Sequence, residues 1–132
     1  MNYLISGNDE YLINKKIKEI IQEYLKDDDF NVDYYDTADV SWQRLIDDAS
    51  TFPLLGDYKV IVAENCWFLS ARESLGSSEE EILLQYLNQP NQSTILIFKL
   101  QGSPDRRKAL VKKMAKLTKT IELADLSPED FA

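Results

Sequence analysis

Gly7 ends a first short apolar run, and Asn8-Asp9-Glu10-Tyr11-Leu12-Ile13-Asn14 follows it where a phosphate-binding loop would stand. Such a loop reads GxxxxGK followed by a hydroxyl residue, because backbone N–H groups must approach the phosphates and a lysine must meet their charge. Leu12, Ile13 and Asn14 occupy the glycine, lysine and hydroxyl places, and Asp9 and Glu10 put negative charge where phosphates would lie. A helix start packed through Leu12 and Ile13 accounts for the segment better than a nucleotide site. Glu64, at the end of Val60-Ile61-Val62-Ala63, is the one candidate to hold a magnesium ion, and without the lysine it has no phosphate to serve. The chain contains no histidine, which removes Ser/His/Asp and Cys/His catalysis and any imidazole metal site. Cys66 stands alone, so neither an internal disulfide nor a CxxC site can form. No catalytic residue, metal site or cofactor is therefore expected.

Two further features concern binding. Phe52-Pro53-Leu54-Leu55-Gly56 places four apolar residues in a junction where loops usually expose polar groups. They either plug the end of the core or form an exposed anchor for another protein. Arg106, Arg107, Lys108, Lys112, Lys113, Lys116 and Lys119 hold 7 of the 15 cations, most of them opposite Leu110, Met114 and Leu117 on a helical wheel. That face is either simply solvated or an electrostatic contact for an acidic neighbour. Arg107 falls toward the apolar side and is expected to be tied to a carboxylate or to free carbonyls.

These residues need a scaffold, and the patterning supplies one. The chain has 132 residues, 44% hydrophobic and 29% charged, which suits one soluble domain with a single core. Its net charge of −8 opposes direct binding of nucleic acid. No apolar run reaches the roughly 18 residues of a membrane span, and the lone cysteine suits a reducing compartment, so a cytoplasmic protein is expected. Strand-like runs at Tyr3-Leu4-Ile5, Phe30 to Tyr35, Lys59 to Val62, Thr94 to Phe98 and Thr120 to Leu123 alternate with helical patterns, which implies parallel βαβ crossovers. The first helix follows an Asn8 cap and buries Ile13, Ile17, Ile20, Ile21 and Tyr24; the second runs from Ser41 through Trp42, Leu45, Ile46 and Ala49. The third opens on a Ser78–Glu81 capping box and buries Ile82, Leu83, Tyr86 and Leu87. The fourth begins at Ser103-Pro104 and turns Leu110, Val111, Met114 and Leu117 inward. Ser127-Pro128-Glu129-Asp130-Phe131 reads as the start of another helix that ends at Ala132, so a fragment of a longer protein is expected. The fold class is α/β, a five-stranded parallel sheet with helices on both faces. A phosphoacceptor receiver domain shares that class and would use Asp9-Glu10 as its acidic pair, but Glu64 replaces its phosphorylated Asp and Glu122 stands where its lysine belongs.

Tyr3 to Ile13, Pro53 to Val62, Leu87-Asn88-Gln89-Pro90 and Asp105-Arg106-Arg107-Lys108 together resemble, in order and spacing, the delta-subunit family of the bacterial DNA polymerase III clamp loader. The resemblance covers the whole chain as that family's N-terminal domain, residues 1–132. It implies an AAA+-like P-loop fold with a degenerate nucleotide loop (Gly7, Leu12, Ile13, Asn14) and strand order 5-1-4-3-2. It also implies a non-catalytic subunit of the DNA polymerase III holoenzyme, a nucleotidyltransferase, that binds the sliding clamp and helps open it for loading onto DNA. A short hydrophobic pair inserts into a clamp pocket in that family, and Leu54 and Leu55 stand there, flanked by Phe52, Pro53 and Gly56. Many relatives have an aromatic where this chain has Leu55. Other loader subunits would meet the protein through a small second domain and a collar domain not contained in these residues, and DNA only indirectly. A receiver-like signalling domain and a generic inactive NTPase-like interaction module are the alternatives.

Overall fold

The computed structural model describes residues 1–26 and 31–123. Strands β1 (Asn2–Gly7), β2 (Val32–Asp36), β3 (Lys59–Glu64), β4 (Thr94–Gln101) and β5 (Lys119–Leu123) alternate with helices α1 (Glu10–Leu25), α2 (Trp42–Ala49), α3 (Ser77–Asn88) and α4 (Ala109–Leu117). The strands pair in parallel in the order β2-β3-β4-β1-β5, as expected, with β1 between β4 and β5. A receiver fold would set β1 between β2 and β3, so this order overturns the receiver alternative. Phe30 and the Ser127–Phe131 signal lie outside the described residues.

The three inner strands read as unbroken apolar runs because each face of the sheet is covered. On one face α2, α3 and α4 pack against Leu4, Ile61, Ala63, Leu96, Phe98 and Leu100. Trp42 is the hub of that layer, 5.3 Å from the Phe68 ring and 5.9 Å from Phe98. On the other face α1, alone among the described helices, lays Ile13, Ile17, Ile20, Ile21 and Leu25 over Tyr3, Ile5, Val60, Val62, Ile95 and Ile97.

Three helix starts differ from the sequence expectation. Asp9, not Asn8, caps α1: its carboxylate accepts from the Tyr11 N–H at 2.9 Å, while the Asn8 carbonyl accepts from the Gln101 amide. Helix α3 begins at Ser77 with Gly76 as its cap, since the Glu80 N–H already bonds the Gly76 carbonyl at 3.0 Å. Ser78 thus lies inside the first turn and forms no capping box. Helix α4 starts at Ala109, because Asp105 holds the preceding residues in a turn: its carboxylate accepts from the Arg107 N–H and its own N–H bonds the Leu69 carbonyl at 2.7 Å. A short 3-10 turn, Trp67–Leu69, was not indicated by the patterning.

Gly7 is fixed by packing at the sheet's carboxyl edge. A Cβ there would stand 2.5 Å from the Leu123 carbonyl oxygen, a backbone atom that cannot swing aside. Gly7→Ala is expected to push β5 off β1 and cost about 1–3 kcal/mol, read as a lowered urea midpoint; an unchanged midpoint would show that the edge yields freely.

Candidate partner-binding site

The segment between α2 and β3 lies at the amino edge of the sheet. There Leu54 is 97% exposed, Leu55 72% and Phe52 75%, so the four-residue apolar run is a tip on the surface and not a plug in the core. Gly56, at φ 79°, takes the left-handed conformation that turns the chain back toward β3, where a side chain would be strained.

Beneath the tip, the chain is tied down from several directions. The Ala49 carbonyl accepts from the Thr94 hydroxyl at 2.8 Å and the Asn91 amide at 3.3 Å; the same amide reaches the Thr51 carbonyl at 3.0 Å. The Asn31 amide donates to the Leu55 carbonyl. Tyr58 meets the Tyr24 ring edge to face at 5.4 Å. The strongest tie is Lys59, the first residue of β3 and 6% exposed, whose ammonium donates to the Asp48 carboxylate at 3.0 Å, the Thr51 hydroxyl at 2.6 Å and the Asp48 carbonyl. Asp48 also accepts from the Tyr35 hydroxyl at 2.5 Å.

The electrostatics follow from this cluster. Burial opposes ionisation of Asp48, but the Tyr35 hydroxyl and the Lys59 ammonium outweigh it and hold the carboxyl below its ordinary value. Tyr35 is pushed up to about 12, chiefly because its proton is held by Asp48. Asp33, facing the same cluster, is raised by burial and by the Asp48 charge.

The opposite, carboxyl edge carries the phosphate-loop position. Ile13 is fully buried on the sheet-facing side of α1, Leu12 is half-buried and Asn14 faces solvent. The crevice between β1 and β4, where doubly wound sheets take ligands, is stitched by a 2.7 Å bond from the Gly102 N–H to the Gly7 carbonyl. Next to it Lys99, 8% exposed, sets its ammonium 3.2 Å from Glu10 and 3.5 Å from Glu64. Glu64 is thus engaged by a lysine of the chain itself. Cys66 is fully buried, which pushes its thiol well above the ordinary range and leaves it unreactive. No cluster of three metal-ligating residues occurs among the described residues.

Lys59 and Lys99 are the residues that sequence reasoning passed over. Their signal was present, since each is a lone cation joined to an apolar strand run, where a buried charge demands a partner. On α4, Lys112, Lys113, Lys116 and neighbouring Lys119 are exposed, while Arg106 pairs with Glu122. Arg107 is tied to the Asp105 carboxylate at 3.0 Å, but its side chain is 86% exposed and not on the apolar side. Lys108 is the residue that reaches backbone carbonyls, those of Phe68 and Glu73.

Comparison with known proteins adds four findings. A family model described as "DNA polymerase III, delta subunit" matches residues 3–124. The chain is 25% identical to DNA polymerase III subunit delta of Bacillus subtilis, over 97% of its own length and 38% of that protein's. Its fold superposes on the Bacillus subtilis DNA clamp loader delta protein with a TM-score of 0.84 at 24% identity, covering 98% of this chain and 40% of that one. A gamma subunit-related protein of DNA polymerase III from Thermotoga maritima shares the fold more loosely, with a TM-score of 0.57 at 14% identity. The chain spans about two fifths of the length of these relatives.

The Lys59 cluster sets a pH test. Since the Asp48 pKa is depressed by folding, its contribution is present above the unfolded carboxylate pKa and lost as pH falls through the folded one. Lys59→Met is expected to raise the Asp48 pKa, followed by NMR titration, and to lower stability at neutral pH by about 1–3 kcal/mol. An Asp48 pKa unmoved by the substitution would show that Lys59 does not govern the cluster.

Proposed function

Because the chain belongs to the DNA polymerase III delta-subunit family, we propose that it acts in DNA replication as the part of a clamp-loader subunit that grips the sliding clamp and helps open it. The observation that carries this reading is the Leu54–Leu55 tip, fully displayed on a base held by hydrogen bonds and a buried ion pair. A tip already held in place loses little conformational freedom on binding, so more of its apolar burial appears as affinity. Phe52, Pro53 and Gly56 frame the pair and set the direction in which it projects.

The mechanism needs no chemistry from this domain. A protein that binds the open form of a ring better than the closed form shifts the population toward open by its difference in affinity alone. Sister subunits would hydrolyse ATP, and contacts with them would run through parts of the subunit outside these residues. The Lys99 bridge between Glu10 and Glu64 and the closed β1–β4 crevice support a domain that binds no nucleotide. The net charge of −8 disfavours direct contact with DNA and fits only an indirect relation to it. A replication subunit of this kind works in the cytoplasm.

The test is the double variant Leu54→Ala with Leu55→Ala against purified sliding clamp. Apolar anchors in a desolvated pocket typically cost about 2 kcal/mol or more each when truncated, roughly 30-fold in affinity, without strict additivity. Loss of detectable clamp binding is expected with an unchanged melting temperature, since neither side chain packs in the core. A folded variant that binds as before overturns the assignment, and a generic interaction module predicts that the parent chain itself ignores the clamp. Calorimetry with Mg-ATP is expected to give no binding heat; micromolar affinity would contradict a degenerate nucleotide loop.

A further inference from the structure

Among the described residues, the exposed aromatic side chains outside the anchor tip fall into two groups. Tyr58 packs with Tyr24 at the amino edge, whereas Tyr11 and Tyr34, 71% and 58% exposed, stand on either side of a groove of about 610 Å³ between α1 and β2. The groove exists because α1 is the only helix on its face of the sheet among the described residues and does not reach across to β2. Val62 lies on its floor, and Tyr34, which pairs with Val62 in the β2–β3 register, rises on the same face.

The rim is cationic. Lys15 and Lys18 line the groove from α1, both exposed, and neither forms an ion pair with a described residue, whereas Lys16 pairs with Glu19 and Lys99 with Glu10 and Glu64. Unpaired cations beside exposed rings mark a place where an acidic partner is attracted. The α4 lysines offer more charge but no large exposed apolar side chain beside them. Glu10 and Glu64 also line the groove, but Lys99 meets their charge, which leaves Lys15 and Lys18 as its unpaired cations, and the exposed rings beside them favour a segment with an apolar side chain over a bare phosphate.

We propose that this groove docks a short acidic segment of a partner protein, with an aromatic or aliphatic side chain seated on Val62 between Tyr11 and Tyr34 and flanking carboxylates on Lys15 and Lys18. This is a second site, distinct from the anchor tip. The groove opens toward the carboxyl edge of the sheet and the tip stands at the amino edge, so both can be occupied at once and each assignment stands or falls alone.

The test uses the isotopically labelled chain and a terminally blocked peptide, DDFLDD, titrated to about 1 mM, with NNFLNN as the uncharged control. Saturable amide shifts are expected in the first half of α1, in β2 and at the end of β3, with little response to the control. Lys15→Glu with Lys18→Glu, and separately Tyr34→Ala, should weaken the peptide about tenfold or more with no change in melting temperature, since all three side chains are exposed. The proposal is overturned by the absence of saturable shifts, by shifts that map to α4, by equal binding of the control, or by undiminished binding to the folded variants.

Discussion

An ammonium group cannot be withdrawn from water unless its charge is met and its donors are satisfied. Two lysines at the ends of inner strands impose that condition on the whole domain. Lys59 starts β3 and meets it by gripping Asp48 and Thr51, so the last turn of α2 and the chain beyond it are held to the amino edge of the sheet. Lys99, near the end of β4, meets it with Glu10 from the first turn of α1 and Glu64 from the end of β3. Removing Lys59 would leave the half-buried Asp48 carboxylate poorly paired, a cost that matters in a domain of marginal stability.

The two clusters give the two edges opposite characters. At the amino edge, a fixed base lets three large apolar side chains stand in solvent without falling back onto the core. At the carboxyl edge, Lys99 bridges Glu10 and Glu64, Asp9 caps the start of α1 and the Gly102 N–H bonds the Gly7 carbonyl. On the proposed reading the domain serves as a frame for display, and its activity is a difference in binding energy.

Much of this frame was legible in the sequence, for physical reasons. β3 and β4 are buried on both faces and so read as continuous apolar runs, and the 3.6-residue stripes of α1 and α2 identify the layers that cover them. The helix starts were less legible, since a Ser-Pro or Ser-x-x-Glu signal competes with nearby glycine and Asp turns: Gly76 and Asp105 won at α3 and α4. The tip itself was visible as Phe52-Pro53-Leu54-Leu55-Gly56, but apolar type alone does not distinguish a plug from a projection. That choice is made by Thr94, Asn91 and Lys59, which reach Ala49, Thr51 and Asp48 from other parts of the chain, and local patterning does not register such ties.

The central claim, that the amino-edge tip and not the carboxyl-edge crevice meets the clamp, is tested most directly by amide hydrogen exchange of the chain with and without purified sliding clamp. The account predicts new protection over residues 52–58, with the Gly7–Asn14 segment unchanged. Protection centred on the Gly7–Asn14 segment, with the tip exchanging as freely as before, would contradict it.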